Sequence, residues 1–348
     1  MAVTIEKQVE LSSHTTMGVS ATAQYVARIG SVEVLIEALN WAKKNEVAVL
    51  VLGGGSNVLL PTYYEGLVLL IELHKRVIIE EDEDSIDLLV GAGENWHDLV
   101  RWTVENGWMG LENLALIPGS VGAAPIQNIG AYGVEVEEYI AKVQYIHTES
   151  MELCWIDRSQ CDFSYRNSIF KKELKAKAVI TGVHFRLPKK ADTKADYESL
   201  RHFLNLQGIQ KPSQKQIFDA VIQVRQSRLP DTQILGSCGS FFKNPLVLNE
   251  QVQSLKSRFP DIKTYPMEGG YSKVAAGWLI DKAVGKGFRT GQIGTYEQQA
   301  LVIVHYGGAD GDAVREFASF VRAKVVEMFG ISLEAQVQII SATKGSKP

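Results

Sequence analysis

Glycine is spread unevenly along this 348-residue chain, and that unevenness constrains the backbone more than any other feature. Between Gly91 and Gly133 lie eight glycines in 43 residues, where 30 in 348 would give about four. A further cluster, Gly53-Gly54-Gly55, follows the apolar run at residues 47–52. Glycine carries no Cβ, so such stretches bend sharply or let another group approach the backbone closely. The run 47–52 reads as a buried strand that opens into Gly53-Gly54-Gly55-Ser56-Asn57, a row of backbone N–H groups suited to cradling phosphate or pyrophosphate. Neither common nucleotide fingerprint is present. A G-x-G-x-x-G turn would need glycine at Val58 and a helix beyond it, which Pro61 stops, and no G-x-x-x-x-G-K-[ST] occurs. Taken alone, the segment also fits a tight turn between strands.

The second glycine-rich stretch runs through Ile117, Pro118, Gly119, Ser120 and Gly122 to Asn128, Gly130, Ala131, Tyr132 and Gly133. Nearly every residue in it is small or offers one polar group. Two loops of this kind in one half of the chain suit a large, flat, phosphate-bearing cofactor that the backbone follows along its length.

Elsewhere the apolar periodicity is regular. Positions 32, 35, 36, 39 and 42 predict a helix capped by Ser31, and 96–105 predict another that stops at Asn106-Gly107. Residues 67–71 and 86–90 read as strands, with the acidic segment 80–84 as a solvated turn. From Leu187 to Lys194 the chain turns polar, which marks a domain boundary at 187/188. Ser213 and Gln216 form a capping box ahead of the apolar face Ile217, Ala220, Val221 and Val224. Val314, Phe317, Val321, Val325 and Met328 predict a helix from Asp312 to Gly330. After it, Ile331, Leu333, Ala335, Val337 and Ile339 alternate with polar residues as a half-buried strand does.

Composition removes several function classes. Lys and Arg number 36 against 40 Asp and Glu, a formal charge of −4, so the concentrated cationic surplus that nucleic-acid binding needs is missing. The run Lys171, Lys172, Lys175, Lys177 is broken by Glu173 and reads as a solvated face. The opening residues lack the apolar core of a secretory signal, and the apolar stretch 47–60 is interrupted well short of the roughly 20 residues a membrane span needs. A cytoplasmic protein is expected. Cys154, Cys161 and Cys238 are odd in number with no C-x-x-C pair, so free thiols are expected, and the seven histidines show no metal-ligand spacing.

Two polar segments offer chemistry. Residues 236–245 bring Ser237, Cys238, Ser240, Lys243 and Asn244 together beside Phe241 and Phe242. No G-x-S-x-G elbow frames either serine as a nucleophile, so a hydroxyl acting as proton donor is the other chemical reading, and a turn beside two core aromatics is the plain one. Ser164-Tyr165-Arg166-Asn167-Ser168 supplies a guanidinium able to hold a carboxylate through two parallel hydrogen bonds, although a lone arginine also suits a surface loop.

These segments have a shared order and spacing. Thr16-Met17-Gly18, residues 53–59, Gly91-Ala92-Gly93-Glu94-Asn95-Trp96-His97, Gly110-Leu111-Glu112-Asn113 through Gly133, Tyr165-Arg166, residues 239–245 and Ala275-Ala276-Gly277-Trp278-Leu279-Ile280-Asp281 together resemble the UDP-N-acetylenolpyruvoylglucosamine reductase (MurB) family over essentially the whole chain. The resemblance implies an α+β fold. A two-lobed FAD-binding domain of the vanillyl-alcohol-oxidase-like (PCMH) type would occupy 1–187, with lobes of about 1–75 and 76–187. A smaller α+β substrate domain would occupy 188–348, its last strand, about 331–340, carrying Gln336.

The resemblance further implies noncovalent FAD, wrapped by Gly53, Gly54, Gly55, Ser56 and Asn57 and by Ile117, Pro118, Gly119, Ser120, Gly122, Asn128, Gly130, Ala131 and Tyr132. NADPH would be the co-substrate, reducing FAD before hydride passes to C3 of an enolpyruvyl UDP-sugar, in the synthesis of peptidoglycan precursors. Arg166 would stabilise the enol-like charge and Ser240 would deliver the C2 proton. Tyr197, Arg228, Lys243, Asn244, Lys273 and Gln299 would surround the UDP-sugar or the nicotinamide phosphate, Tyr197 from an insert of the longer family type. A monomer without metal, membrane or nucleic-acid partner is expected.

One position departs from the family. Its Leu-x-Pro-Glu-Val pattern becomes Leu333-Glu334-Ala335-Gln336-Val337, so the third catalytic position carries Gln336 where the family has Glu. An amide exchanges hydrogen bonds but neither transfers a proton nor carries charge. Glu334 shares the polar strand face but stands about 6.6 Å away along a strand. A reductase of reduced turnover is therefore expected. The alternatives are a catalytically weakened UDP-sugar-binding homologue and a flavin oxidase acting on another alcohol or sugar.

Overall fold

Local chemistry places the elements where the periodicity predicts them. In the computed structural model, which describes residues 3–341, the Ser31 hydroxyl accepts a hydrogen bond from the Val34 N–H and starts helix α1 (Val32–Lys44), whose Leu35, Ala38, Leu39 and Ala42 are buried. The Asn95 side chain likewise accepts from Asp98 N and starts α2 (Trp96–Glu105), and the chain leaves it through Gly107 at φ +73°.

The chain divides into two compact units. The first comprises residues up to Val9, Ala23–Gly54 and Glu65–Gln226. One of its sheets has the order Glu6–Glu10, Thr22–Ile29, Tyr63–Ile71, Val49–Leu52, with the last pair parallel. The strand expected to be buried throughout is in fact an edge strand: Leu52 is buried, but Val49 and Val51, on the opposite face of the pleat, are 36% and 38% exposed. The other sheet is antiparallel, in the order Leu153–Asp157, Ile140–His147, Ala178–Pro188, Ser85–Gly91, Arg76–Glu81. Val143, Val183 and Val90 lie opposite one another across it and are fully buried. The acidic segment read as a turn from residue 80 stays in the Arg76–Glu81 strand to Glu81, and the turn is tied only from Asp82, whose carboxylate accepts from the N–H groups of Asp84 and Ser85.

The polar stretch after Leu187 is a surface connection and does not mark the edge of the unit. Helices α3 (Glu198–Leu206) and α4 (Gln214–Gln226) follow it, and their Leu200, Leu204, Ile217, Phe218 and Val221 join the same apolar core as the two sheets. This differs from a single cut at 187/188, because burial of these helix faces outweighs the local polarity of the linker.

The second unit comprises Glu10–Thr22, Gly55–Tyr64 and the chain from Ser227 onward. The two short segments belong here because Met17, Val19 and Leu59 pack into its core. It holds a four-stranded sheet ordered Gly236–Ser240, Val302–His305, Ile293–Thr295, Arg289–Thr290, and a three-stranded one ordered Leu246–Leu248, Tyr271–Val274, Thr264–Pro266. Its helices are α5 (Asn249–Arg258), α6 (Ala276–Ala283) and α7 (Gly311–Phe329). The cap of α7 is Asp310, whose carboxylate accepts from Ala313 N, and its stop is Gly330 at φ +67°.

The segment after α7 keeps the predicted alternation at Ile331, Leu333 and Val337, which are buried, and Ser332, Glu334 and Gln338, which are exposed, but Ile339, expected on the core face, is 42% exposed, and the segment is not one strand. Lys243 N donates to Glu334 O, Ala335 bridges Phe242, Gln336 N donates to Phe241 O, and only Gln338–Ile339 then pairs in parallel with Val58–Leu59. The ladder is split because the segment passes from one neighbour to the next. Among the described residues no helix is long and apolar enough to cross a membrane, and no group of three or more His, Cys, Asp or Glu could hold a metal ion.

Candidate active site

In the first unit the two glycine-rich loops lie against each other. A Cβ at Gly53 would stand 2.2 Å from Ser120 Oγ, and one at Gly54 would stand 2.7 Å from Gly119 Cα. Gly91 and Gly93 are approached in the same way by the backbone of residues 72–75, and Gly122 by Ala92, 2.6 Å from where its Cβ would be. Hydrogen bonds Trp96 N to Gly119 O, Val121 N to Glu94 O and Gly122 N to Ala92 O lock the 91–96 and 119–122 turns together. The Arg76 guanidinium grips Glu94 at 2.7 Å through both Nε and Nη2. At each of these glycines a side chain would collide with its neighbour, so the turns pack only because the Cβ is missing.

Near Tyr132 and His97 lies a cation that the sequence pattern did not single out. Arg225 on α4 has its Nε buried without a hydrogen-bond partner. Burial lowers its pKa, opposed by the Tyr132 phenol. A buried guanidinium with an unsatisfied N–H is costly unless an anion meets it. Close backbone approach and this orphaned cation together fit a phosphate-bearing dinucleotide. The signal was in the helix pattern: Ile217, Val221 and Arg225 follow at four-residue spacing, so the arginine lies on the apolar face, whereas Arg228, singled out from the sequence, is exposed in the connection beyond α4. Tyr197 is 44% exposed and meets Tyr132 edge to face at 5.4 Å between ring centres. His97 stacks on Phe218 and accepts from Leu116 N through Nδ1, and burial lowers its pKa.

Arg166 sits at the second central position of a tight turn closed by reciprocal Ser164–Asn167 backbone bonds, at φ +55°. That left-handed conformation costs a non-glycine residue about 1–2 kcal/mol, and such strain gathers at functional positions. Its Nη1 donates to Asn128 O at 3.1 Å and its Nη2 to Gly130 O at 2.5 Å, while the Tyr165 ring lies 5.3 Å from the guanidinium carbon. Asn128 and Tyr132, at φ +44° and +51°, share the left-handed conformation.

The second unit holds the remaining residues. Ser240 ends the Gly236–Ser240 strand after a register break, with Gly239 at φ +68°, so its half-buried hydroxyl leaves the regular pleat. Phe241 and Phe242 next to it are core, as their composition suggested. Cys238 is buried with its thiol against Val58 O, and burial pushes its pKa up to about 12, so it is held as an inert thiol. Asn244 Oδ1 accepts from Ala276 N at 2.9 Å, and Gln299 Oε1 lies 2.7 Å from where a Gly277 Cβ would stand, so both amides gather at the first turn of α6. Lys273 lies in the Tyr271–Val274 strand opposite Leu246. Lys243 pairs with Glu334 at 2.5 Å, and Glu334 is itself 72% exposed. Gln336 is half-buried; its backbone is tied to Phe241 O, one residue beyond Ser240, and its carbonyl accepts from Asn57 Nδ2 at 3.2 Å. Gly55, at φ +60°, is pressed by His14 O, 2.0 Å from where its Cβ would be, in the same unit as Ser56 and Asn57.

A glycine-walled cradle with a buried cation, and residues 23–150 that match the FAD binding domain family, place the chain among FAD-dependent oxidoreductases. Residues 230–340 match the C-terminal domain of UDP-N-acetylenolpyruvoylglucosamine reductase. At 42% identity over 337 residues, 96% of this chain and 97% of that protein, it is similar to the UDP-N-acetylenolpyruvoylglucosamine reductase of Burkholderia pseudomallei (strain 668). It is 44% identical over 328 residues, 94% of this chain and 95% of that protein, to the one from Paraburkholderia phymatum. Its fold resembles the crystal structure of MurB from Thermus caldophilus, with a TM-score of 0.67 at 23% identity over 97% of this chain and 99% of that one. The chain belongs to the UDP-N-acetylenolpyruvoylglucosamine reductase family.

Proposed function

We propose that this chain catalyses the NADPH-dependent reduction of UDP-N-acetylglucosamine enolpyruvate to UDP-N-acetylmuramate in the cytoplasm, as a step of peptidoglycan precursor synthesis. The observation that carries the reading is the close contact of Gly53 and Gly54 with Gly119 and Ser120, which brings two glycine-rich loops far apart in sequence together in a form that suits a dinucleotide. FAD held there would supply the hydride-transfer chemistry between the nicotinamide and the enolpyruvyl C3.

The protein supplies charge and a proton. Two N–H groups of Arg166 are committed to backbone carbonyls, which fixes the guanidinium plane, and its charge offsets the negative charge that develops on the substrate carboxylate. Ser240 delivers the proton to C2. Lys243, Lys273 and the first turn of α6, with Asn244 and Gln299, suit the phosphates of the UDP-sugar or of NADPH. Tyr197 and Arg228 contact the same ligands from exposed positions. Gln336 exchanges hydrogen bonds with substrate or the Ser240 hydroxyl but supplies no carboxyl group to support the proton transfer from Ser240, and Glu334 is committed to Lys243. A UDP-sugar-binding homologue of weakened catalysis is favoured by Gln336 alone.

The test is optical. The purified protein should be yellow, bleach on adding NADPH without air, and recover its colour on adding enolpyruvyl substrate. Bleaching without substrate-driven recovery would leave only the binding homologue, and rapid recovery with oxygen alone would indicate an oxidase.

A further inference from the structure

Asn128 belongs to the stretch expected to wrap the cofactor, yet both of its side-chain N–H groups are already used within the protein. The residue is 0% exposed. Its Nδ2 donates to Glu135 Oε2 at 2.7 Å, Glu137 Oε1 at 3.1 Å and Ser164 O at 3.4 Å, and its Oδ1 accepts from Glu137 N at 3.1 Å. A carboxamide has two N–H groups, and these three acceptors use both, so the side chain has no donor left for a ligand. Two hydrogen bonds link residue 128 to Arg166, one from its side chain and one to its main chain. The amide reaches the carbonyl of Ser164, which opens the turn carrying the arginine, and the Asn128 main-chain carbonyl accepts from Arg166 Nη1.

We propose that Asn128 is a positioning residue for Arg166 and makes no cofactor contact through its side chain. The side-chain bonds hold residue 128 in its left-handed conformation, and that conformation aims its carbonyl at the guanidinium. Gly130 completes the seat: its carbonyl takes Nη2, and a Cβ there would stand 3.0 Å from both Arg166 Nη1 and Glu135 Cγ. With two N–H groups docked on carbonyls, the guanidinium cannot swing, and its remaining donors keep one direction. Misplacing a charge by about 1 Å can cost about 100-fold in rate, so fixing it has catalytic value.

The inference rests on the proposed role of Arg166, and its test separates the two. Asn128→Ser should slow substrate-driven recovery of the flavin colour about tenfold while leaving FAD content, the absorption spectrum and the rate of bleaching by NADPH unchanged. In an Arg166→Gln background the same substitution should have no further effect on recovery. Loss of FAD, equal slowing of both half-reactions, or effects that multiply in the double variant would each overturn the inference. Gly130→Ala, which leaves the Asn128 side-chain bonds in place, should reproduce the phenotype; wild-type recovery in that variant counts against the proposal. Urea unfolding of the flavin-free proteins provides a readout independent of turnover: the midpoint shifts of Asn128→Ser and Arg166→Gln should combine to less than their sum, and strict additivity overturns the coupling. A wild-type protein that fails to bleach or recover refutes the reaction, whereas one that does both but shows multiplicative variants refutes only this positioning role.

Discussion

The two units build their functional surfaces by different means. In the first, the cradle is backbone: glycines at 53, 54, 91, 93 and 122 touch neighbouring chain so closely that a single Cβ would collide. In the second, the proposed set is made of side chains: Ser240 at a strand end, and Lys243, Asn244 and Gln299 in loops, the last two beside the start of α6. The difference teaches what a substitution should do. A change in the cradle acts on folding and cofactor retention together, whereas a change in the side-chain set acts on turnover in a protein that still folds.

The largest expected effect is on the backbone side. Gly54→Val forces atoms into Gly119 and should cost about 1–3 kcal/mol of stability, with loss of the flavin absorption from the purified protein. A yellow, fully stable variant would break the contrast. Ser240→Ala should instead leave colour, melting temperature and NADPH-driven bleaching intact while slowing substrate-driven recovery by about 10²–10⁴-fold, as removal of a proton donor does. Gln336→Glu sharpens the same side from the other direction. It should accelerate recovery about 10- to 100-fold with bleaching unchanged, and no effect on either half-reaction means that the position is wrongly assigned.

Lys243→Met should raise the KM for the UDP-sugar about tenfold. Its pair with the exposed Glu334 is worth no more than about 1 kcal/mol, so the unfolding midpoint should scarcely move. The smallest effect is a pH slope at His97. Burial against Phe218 lowers its pKa below the ordinary 6.5. The unfolded chain therefore takes up this proton first, so stability is full above about pH 6.5 and declines as pH falls below it. Melting curves from pH 8 to 5 should flatten in His97→Gln relative to wild type.

Much of this was legible because it depends on local rules. Val32–Lys44 and Trp96–Glu105 have the bounds that Ser31, the Asn106-Gly107 stop and the apolar spacing predict. The pair of glycine clusters pointed to a cradle, since glycine density reports close approach whatever the partner. Less legible were features that depend on neighbours. The polarity of 188–194 suggested a boundary, but α3 and α4 beyond it bury Leu200 and Phe218 in the first core. The alternation at 331–339 matched the burial of Ile331, Leu333 and Val337 but not of Ile339, which is exposed, and it was silent about pairing, which passes from Phe241 and Phe242 to Val58 and Leu59. Arg225 could have been found as a charge on an apolar helix face, while Arg228, three residues on, drew attention by its place in a motif.

The sequence by itself determined the helix starts and stops, the two glycine loops and the family, because capping, periodicity and the missing Cβ act within a few residues of their source. Only the tertiary structure decided that Gly53 meets Ser120, that Asn128 is spent on Glu135, Glu137 and Ser164, and that Arg166 rests on two carbonyls. These depend on which surfaces gain most by leaving water together, and that is a property of the whole core.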